Sequence, residues 1–436
     1  MKKYTLFIAL VAALCAWELP ARAEAHTLSL QQMFQLADQN NKKLQASQVA
    51  VQTSSSGVKT AKNAYLPDIN LSLSVGYNGD ATIMDRDFSH RTSAPIPSFG
   101  NNFALEVTQV IFAGGAIRNS VKLAKLQEQI AALNNEQDKH QIHFLIAGNY
   151  LELNKIQNQL QVFESHIRQT ETMLDNMRQR YQQGVALQND ITRYELQLQN
   201  LRYSKIELEN TRQILNDQLV SALGLPAQDT IRISSTDKPQ GADLPKEHWH
   251  KTAQDASAVL QLADSAVKRQ QILRKTAKAE RYPQIALFAA DHLDGPITID
   301  IPAIDNNLNY WTAGIALRYN LGNFYQTGKK IKEADLALTQ AQKEQASAKE
   351  DLRLAVEAAY IRYQEAFSLL ATKKKSVELA QRNYDVVSYR YENGLVLITD
   401  LLDAVAQKLD AELQAVNAEI NITYNFYKLQ FVSGIL

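Results

Sequence analysis

The chain has 436 residues, with 46 basic and 46 acidic side chains and a net charge of zero. That balance excludes the basic footprint of a nucleic-acid binder, and a single cysteine, Cys15, excludes a disulfide-stapled scaffold. Few Gly (16) and Pro (10), with Gln, Leu, Ala, Lys and Glu dominating long stretches, is the composition of long helices.

Residues 1–23 read as a secretory signal: Lys2 and Lys3 precede an apolar run from Leu6 to Leu14, and Ala21-Arg22-Ala23 offers a cleavage site before Glu24. The run is too short to span a bilayer. Leu14 makes Ala12-Ala13-Leu14-Cys15 a poor lipid-attachment motif, so the expected mature chain has no thiol. No later run of twenty apolar residues predicts a transmembrane helix.

One unit is then used twice. Arg180-Tyr181-Gln182-Gln183-Gly184 through Asp190 aligns with Arg390-Tyr391-Glu392-Asn393-Gly394 through Asp400, and the same offset pairs Tyr150 with Tyr360 and Gly224 with Gly434. Lys59-Thr60-Ala61-Lys62 recurs as Lys275-Thr276-Ala277-Lys278, and Pro67 as Pro283. A duplication this long is an architectural repeat.

In the first copy, residues 24–66 predict a helix from Leu30 to about Ala64, stopped by Leu66-Pro67. Residues 67–113 predict a β-hairpin. Ile69, Leu71, Leu73, Val75 and Tyr77 alternate with polar residues, and Phe103, Leu105 and Val107 do the same after a polar loop. Each run is about ten residues, the length of one transmembrane strand. Residues 114–224 predict a helical hairpin after Ala113-Gly114-Gly115, its arms carrying Ile167, Thr170, Leu174, Met177, Tyr181 and then Leu187, Ile191, Tyr194, Leu198, Leu201 at coiled-coil spacing. Gly184 closes the turn.

Residues 225–251, with Pro226, Pro239, Gly241 and Pro245 around the β-prone Thr230-Ile231-Arg232-Ile233, form an inter-repeat segment expected as a small side domain. The second copy repeats the order: a helix in 252–282, a hairpin in 283–322 and a helical hairpin in 323–436 turning at Gly394. Alternation is noisy after Pro283. It is clear later, where Trp311, Ala313, Ile315, Leu317, Tyr319 and Leu321 share one face. Four lipid-compatible strands cannot close a barrel, and open edges are not viable in hydrocarbon, so membrane strands here require oligomerisation.

Together these features resemble the TolC-like outer-membrane efflux protein family over essentially the whole mature chain. They are the duplication, Leu66-Pro67 and Tyr282-Pro283 before the first strands, Phe112-Ala113-Gly114-Gly115 after a second strand, and tips with Tyr-x-x-Gly and Asp six residues beyond the Gly. The resemblance implies a mainly α fold with a membrane β-barrel portion, a homotrimer whose 12-stranded barrel continues into a periplasmic α-helical barrel. It further implies an outer-membrane location, a periplasmic adaptor (membrane fusion) protein and an inner-membrane pump as partners, and outer-membrane lipid around the barrel. The implied function is the gated exit duct of a tripartite efflux pump carrying small molecules such as drugs. Type I protein secretion is the alternative, and a soluble periplasmic coiled-coil scaffold is the rival from another class.

The resemblance also assigns sites. Asp400 and Asp403, i,i+3 neighbours on one helix face, match the constriction. In a trimer they become stacked carboxylate rings that favour cations. Two Asp in a helix's first turns also suit its N-terminal dipole. Asp190 and Tyr391 match a latch between the helical hairpins, but Val396 stands where the family's Arg is expected, leaving Arg193 or Arg390 as substitutes. Tyr391 equally fits a coiled-coil knob. Gly184-Val185-Ala186 and Gly394-Leu395-Val396 match the adaptor-docking tips. Tyr77, Phe112, Tyr310, Trp311 and Tyr319, with Tyr65, Tyr282, Phe324 and Tyr325, are expected in aromatic girdles at the membrane surfaces.

Nothing points to catalysis, a metal or a cofactor. His140 and His143 are i,i+3, and His248 and His250 flank Trp249, without a carboxylate or cysteine set that completes a metal site. There is no phosphate loop or nucleophile elbow. The chain is therefore not expected to be an enzyme, and without a Met-rich run nothing in it marks soft metal ions as cargo.

Overall fold

The computed structural model describes residues 25–234 and 244–436. The expected signal segment with Cys15, and Pro239 and Gly241 of the link, lie outside the described residues. The described residues divide into two compact units: those up to Val49, those between Leu133 and Gln261 and Ser347–Leu436 form the first, and Ala50–Ala132 with Leu262–Ala346 the second.

The α-helices lie in the first unit or run from one unit into the other. Helix α1 (Leu30–Asn40) and α2 (Lys42–Lys62) open the first copy, followed by the hairpin of α3 (Ala116–Gln182) and α4 (Gln188–Leu223). In the second copy, α5 (Lys246–Ala256) and α6 (Ala258–Ala279) precede α7 (Asn323–Glu392) and α8 (Ile398–Val432). Each copy buries the same core. Met33, Ala37, Ile146, Leu153 and Leu219 cluster in one, and Trp249, Ala253, Val356, Tyr363 and Leu429 occupy the matching positions in the other. A fully buried side chain of this size is worth about 1.5–3 kcal/mol of transfer free energy, so the duplication preserves the packing as well as the pattern.

Where one continuous opening helix was predicted, each copy has two, broken at Asn41 and Ser257. Both break residues are buried and extended, with ψ of 122° and 115°. No Gly or Pro marks either break. Its cause is the glycine that ends the hairpin: Gly224 (φ 66°) and Gly434 (φ 74°) press against Asn40 and against Ala256 and Ser257. A Cβ on Gly224 would lie 2.6 Å from the Asn40 carbonyl oxygen. Asn41 seals its break by donating from Nδ2 to the Ala222 carbonyl (2.7 Å) and accepting at Oδ1 from the Lys43 and Leu44 N–H groups. The second opening helix also starts earlier than predicted, at Lys246. Trp249 therefore lies in the core, and His250 faces Glu357 at 3.1 Å. His143 bonds Asp38 at 2.9 Å.

The inter-repeat strand finds its partner far away in sequence. Strand β1 (Ala25–Leu28) pairs in parallel with β6 (Thr230–Ile233). Asn216 of α4 accepts from the Ile231 N–H of β6 at 2.7 Å and donates to the carbonyl of Asp229 just before it. The side chain thus takes up backbone groups that would otherwise form an open edge.

In the second unit, β2 (Asp68–Tyr77), β5 (Phe99–Ala113), β7 (Gln284–Gly295) and β8 (Leu308–Arg318) form one antiparallel sheet in that order. A small hairpin of β3 (Ala81–Ile83) and β4 (Thr92–Ala94) lies in the first loop. Register assigns the faces. Leu71 opposes Leu105, Leu105 opposes Asp291, and Asp291 opposes Trp311, so the alternating apolar residues of all four strands share one face, with Asp291, bonded by Asn309 at 3.2 Å, as a charged exception among them. Asn70, Ser72, Glu106, His292 and Arg318 share the other. At the bulge after Val110, the extra residue Ile111 returns Phe112 to the apolar face opposite Ile285. The noise in β7 also has a cause: Phe288 lies on the polar face, where Gly314 leaves room for its ring.

Two girdle expectations change. Tyr310 is on the polar face, stacked on His292 at 5.0 Å and bonded to Asp294, opposite in direction to Trp311. Strand β8 ends at Arg318, so Tyr319 lies beyond it against Phe324. Among the described residues no helix is long and apolar enough to cross a membrane.

Candidate functional site

The two helical-hairpin tips of the first unit close in the same way. Gly184 and Gly394 take φ of 78° and 73°. In each, the following residue donates its N–H back across the turn, Val185 to the Arg180 carbonyl (3.0 Å) and Leu395 to Arg390 (2.9 Å). This is the Schellman closure that a left-handed glycine permits. The turns leave apolar side chains in water: Val185, Leu187, Leu395 and Leu397 are 62–72% exposed. Ala186 and Val396, at matching positions, are half-buried.

Just behind the turns, all four long helices meet in one core. Leu174 and Met177 of α3, Ile191, Tyr194 and Leu198 of α4, Tyr391 of α7, and Ile398, Leu401 and Val405 of α8 are buried together, with Val396 packed against them. Here the copies differ. Tyr391 is 9% exposed, whereas its counterpart Tyr181 is 46% exposed. The Tyr391 hydroxyl donates to Asp190 Oδ2 at 3.4 Å, a long contact. Burial first, and then the Asp190 charge, push the Tyr391 phenol up to about 12, against the opposing Arg180 cation. It is therefore a neutral donor across the physiological range.

The base beside this pair is neither Arg193 nor Arg390, both exposed. Arg180 places its guanidinium 5.9 Å from the centre of the Tyr391 ring and donates to the Glu392 carbonyl at 2.8 Å. It thus ties the end of α3 to the end of α7, a role that only the fold reveals. The one available signal was that Arg180-Tyr181 repeats as Arg390-Tyr391, which placed an arginine beside each tip without saying whose tyrosine it meets.

Asp400 and Asp403 are exposed on the same face of α8, while Leu401, Ala404 and Val405 face the core. Asp400 also accepts from the Leu397 N–H at 3.1 Å, so it caps its own helix, and Asp403 accepts from Gln407 at 2.7 Å.

A buried polar knot, which the sequence did not announce, lies farther along the same helices. His166 bonds Glu412 at 2.8 Å, and Lys408, 5% exposed, reaches Gln169 at 3.4 Å and the face of Tyr384 at 4.8 Å. It cross-links α3, α7 and α8 with directional contacts that an apolar seam lacks.

Compared with known proteins, the sequence matches the model of the family described as "Outer membrane efflux protein" over residues 33–225 and 249–434. It is 22% identical to "Outer membrane protein TolC" of Salmonella enteritidis over 424 residues, covering 94% of this chain and 82% of that protein. The fold is similar to that of VceC from Vibrio cholerae, with a TM-score of 0.77 at 15% identity, covering 93% of this chain and 96% of that one. The CmeC outer membrane channel of Campylobacter jejuni gives a TM-score of 0.77 at 13% identity, with 93% and 85% covered.

Proposed function

The chain belongs to the outer membrane efflux protein family, and from that premise we propose that it is the exit duct of a tripartite efflux pump, passing small molecules out through the outer membrane. The observation that carries this reading is the sheet. Its outer strands β2 and β8 each have one neighbour among the described residues, and the apolar face of β2 is exposed along its whole length. A sheet that is mainly apolar on one face and mainly polar on the other, with both edges open, is completed by copies of itself. Three chains supply twelve strands, above the minimum of about eight for a membrane barrel.

In this reading the polar face of Ser72, Glu106 and His292 lines water, and the helices carry the wall into the periplasm. The tips form the gate. Asp400 and Asp403 supply carboxylate rings, Tyr391, Asp190 and Arg180 hold the hairpins together, and the exposed Val185, Leu187, Leu395 and Leu397 receive an adaptor protein attached to an inner-membrane pump. The pump supplies the energy, and the duct is passive.

Edge closure is testable by crosslinking. Cysteines placed along β2 and β8, for example Ser72→Cys with Thr312→Cys, should give a disulfide ladder of one, two and three chains that stops at three. A chain that remains in the soluble fraction and yields no intermolecular crosslink at any register contradicts the proposal and favours a periplasmic scaffold.

A further inference from the structure

We propose that the ends of the four helices adjoining the sheet form a basic collar that binds the headgroups of anionic phospholipids, an inference that rests on the outer-membrane reading above. Residues 59–67, 114–125, 274–283 and 318–332 flank the four strands on one side. They hold thirteen Lys and Arg and a single acidic residue, Glu280. The loops at the other end of the sheet, residues 78–98 and 294–307, hold six Asp and two Arg. The second unit is therefore electrically polarised along its strands although the whole chain is neutral.

Three ordinary explanations fall short. A solvated helix surface mixes signs, as residues 343–362 of α7 do with four basic and four acidic side chains. The helix dipole favours cations at C-termini, which covers Lys59 and Lys62 on α2 and Lys278 on α6. It disfavours them at the start of α3 and α7, yet neither helix has an acid in its first turn and Arg118 is the third residue of α3. Ion pairing uses few of these charges: among the described residues Lys330 meets Glu280 at 2.7 Å and Arg274 meets Asp335.

A second observation fixes the level. Tyr65, Leu66, Tyr282, Leu321, Phe324 and Tyr325 are all exposed at the same junction of strand and helix. Exposed aromatic side chains followed by cations mark the depth where acyl chains give way to headgroups. A run of basic residues just outside that depth matches the charge of phosphate-bearing lipids, each residue contributing about a fivefold preference near an anionic surface. The occupant is therefore an anionic glycerophospholipid of the leaflet that meets the helices.

The test uses the full-length purified protein reconstituted into an equimolar mixture of phosphatidylglycerol and phosphatidylcholine, with the lipids that stay bound counted after extraction. The collar predicts at least roughly threefold enrichment of phosphatidylglycerol at low salt, shrinking as salt screens the charges. The variant Lys59→Gln, Lys62→Gln, Lys278→Gln, Arg281→Gln should bring the ratio toward one, whereas Lys374→Gln, on α7 in the first unit, should leave it unchanged. Should the fourfold variant fail to fold, the wild-type ratio and its salt dependence still decide. Equal retention of both lipids by bilayer-inserted protein, or enrichment unaffected by the fourfold change, overturns the collar and leaves the duct standing. Protein that never enters bilayers overturns the duct and the collar with it.

Discussion

Tyr181 and Tyr391 stand at equivalent places in the two copies, yet one faces water and the other is sealed among the helices. The difference follows from partners. Only Tyr391 has a carboxylate in reach and an arginine along its ring, and both come from the other copy. Such contacts between near-identical motifs are invisible in a linear repeat, which is why Arg180 was not singled out while Asp190 and Tyr391 were. The 3.4 Å hydroxyl contact is weak, about 0.5 kcal/mol at the low end for a hydrogen bond, and most of what Tyr391 contributes is burial. Tyr391→Phe should therefore change channel opening slightly and Arg180→Gln more, because the latter loses the Glu392 tie as well. Both are measured as single-channel conductance. Equal and large effects of the two substitutions would mean that the hydroxyl, rather than the arginine, dominates.

At the scale of elements, glycines with the same backbone conformation serve different ends. Gly184 and Gly394 have open space where a Cβ would go, so an alanine there meets only the left-handed strain of about 1–2 kcal/mol. Gly224 has the Asn40 backbone in that space. Gly224→Ala should thus lower the melting temperature clearly more than Gly184→Ala, by thermal unfolding monitored at the helical band. Matched losses would remove the close approach to Asn40 as the cause of the helix break. The faces of β2 give a second contrast. Leu71→Arg puts a cation on the apolar face at a cost of about 2–4 kcal/mol near a bilayer midplane, whereas Ser72→Arg points to the polar side. Flotation with liposomes should fail for the first and persist for the second.

Much of this scale was legible in the sequence, because β2 alternates strictly and long stretches lack Gly and Pro. The breaks at Asn41 and Ser257 were not, since tertiary contact with a distant glycine bends the chain there. The parallel pairing of β1 with β6 was hidden for the same reason, its partners being two hundred residues apart. Alternation misled where it was read past the end of β8, at Tyr319, whereas Tyr310 was named for the girdle as a strand-end aromatic although alternation sets it opposite Trp311.

For the whole molecule, duplication explains more than symmetry. Two copies give two hairpins and two tips from one packing solution, and divergence then makes the tips unequal. Only the second carries the Asp400 and Asp403 face, and only its tyrosine is buried. In the duct proposed above, the second copy would carry the gate and the first would brace it. The central claim, a gated duct, is tested most directly by planar-bilayer recording of the purified protein. The account predicts discrete steps in current, blocked by divalent cations from the tip side, with the block weakened in Asp400→Asn, Asp403→Asn. Protein that inserts and never conducts, or a block indifferent to both carboxylates, would contradict it.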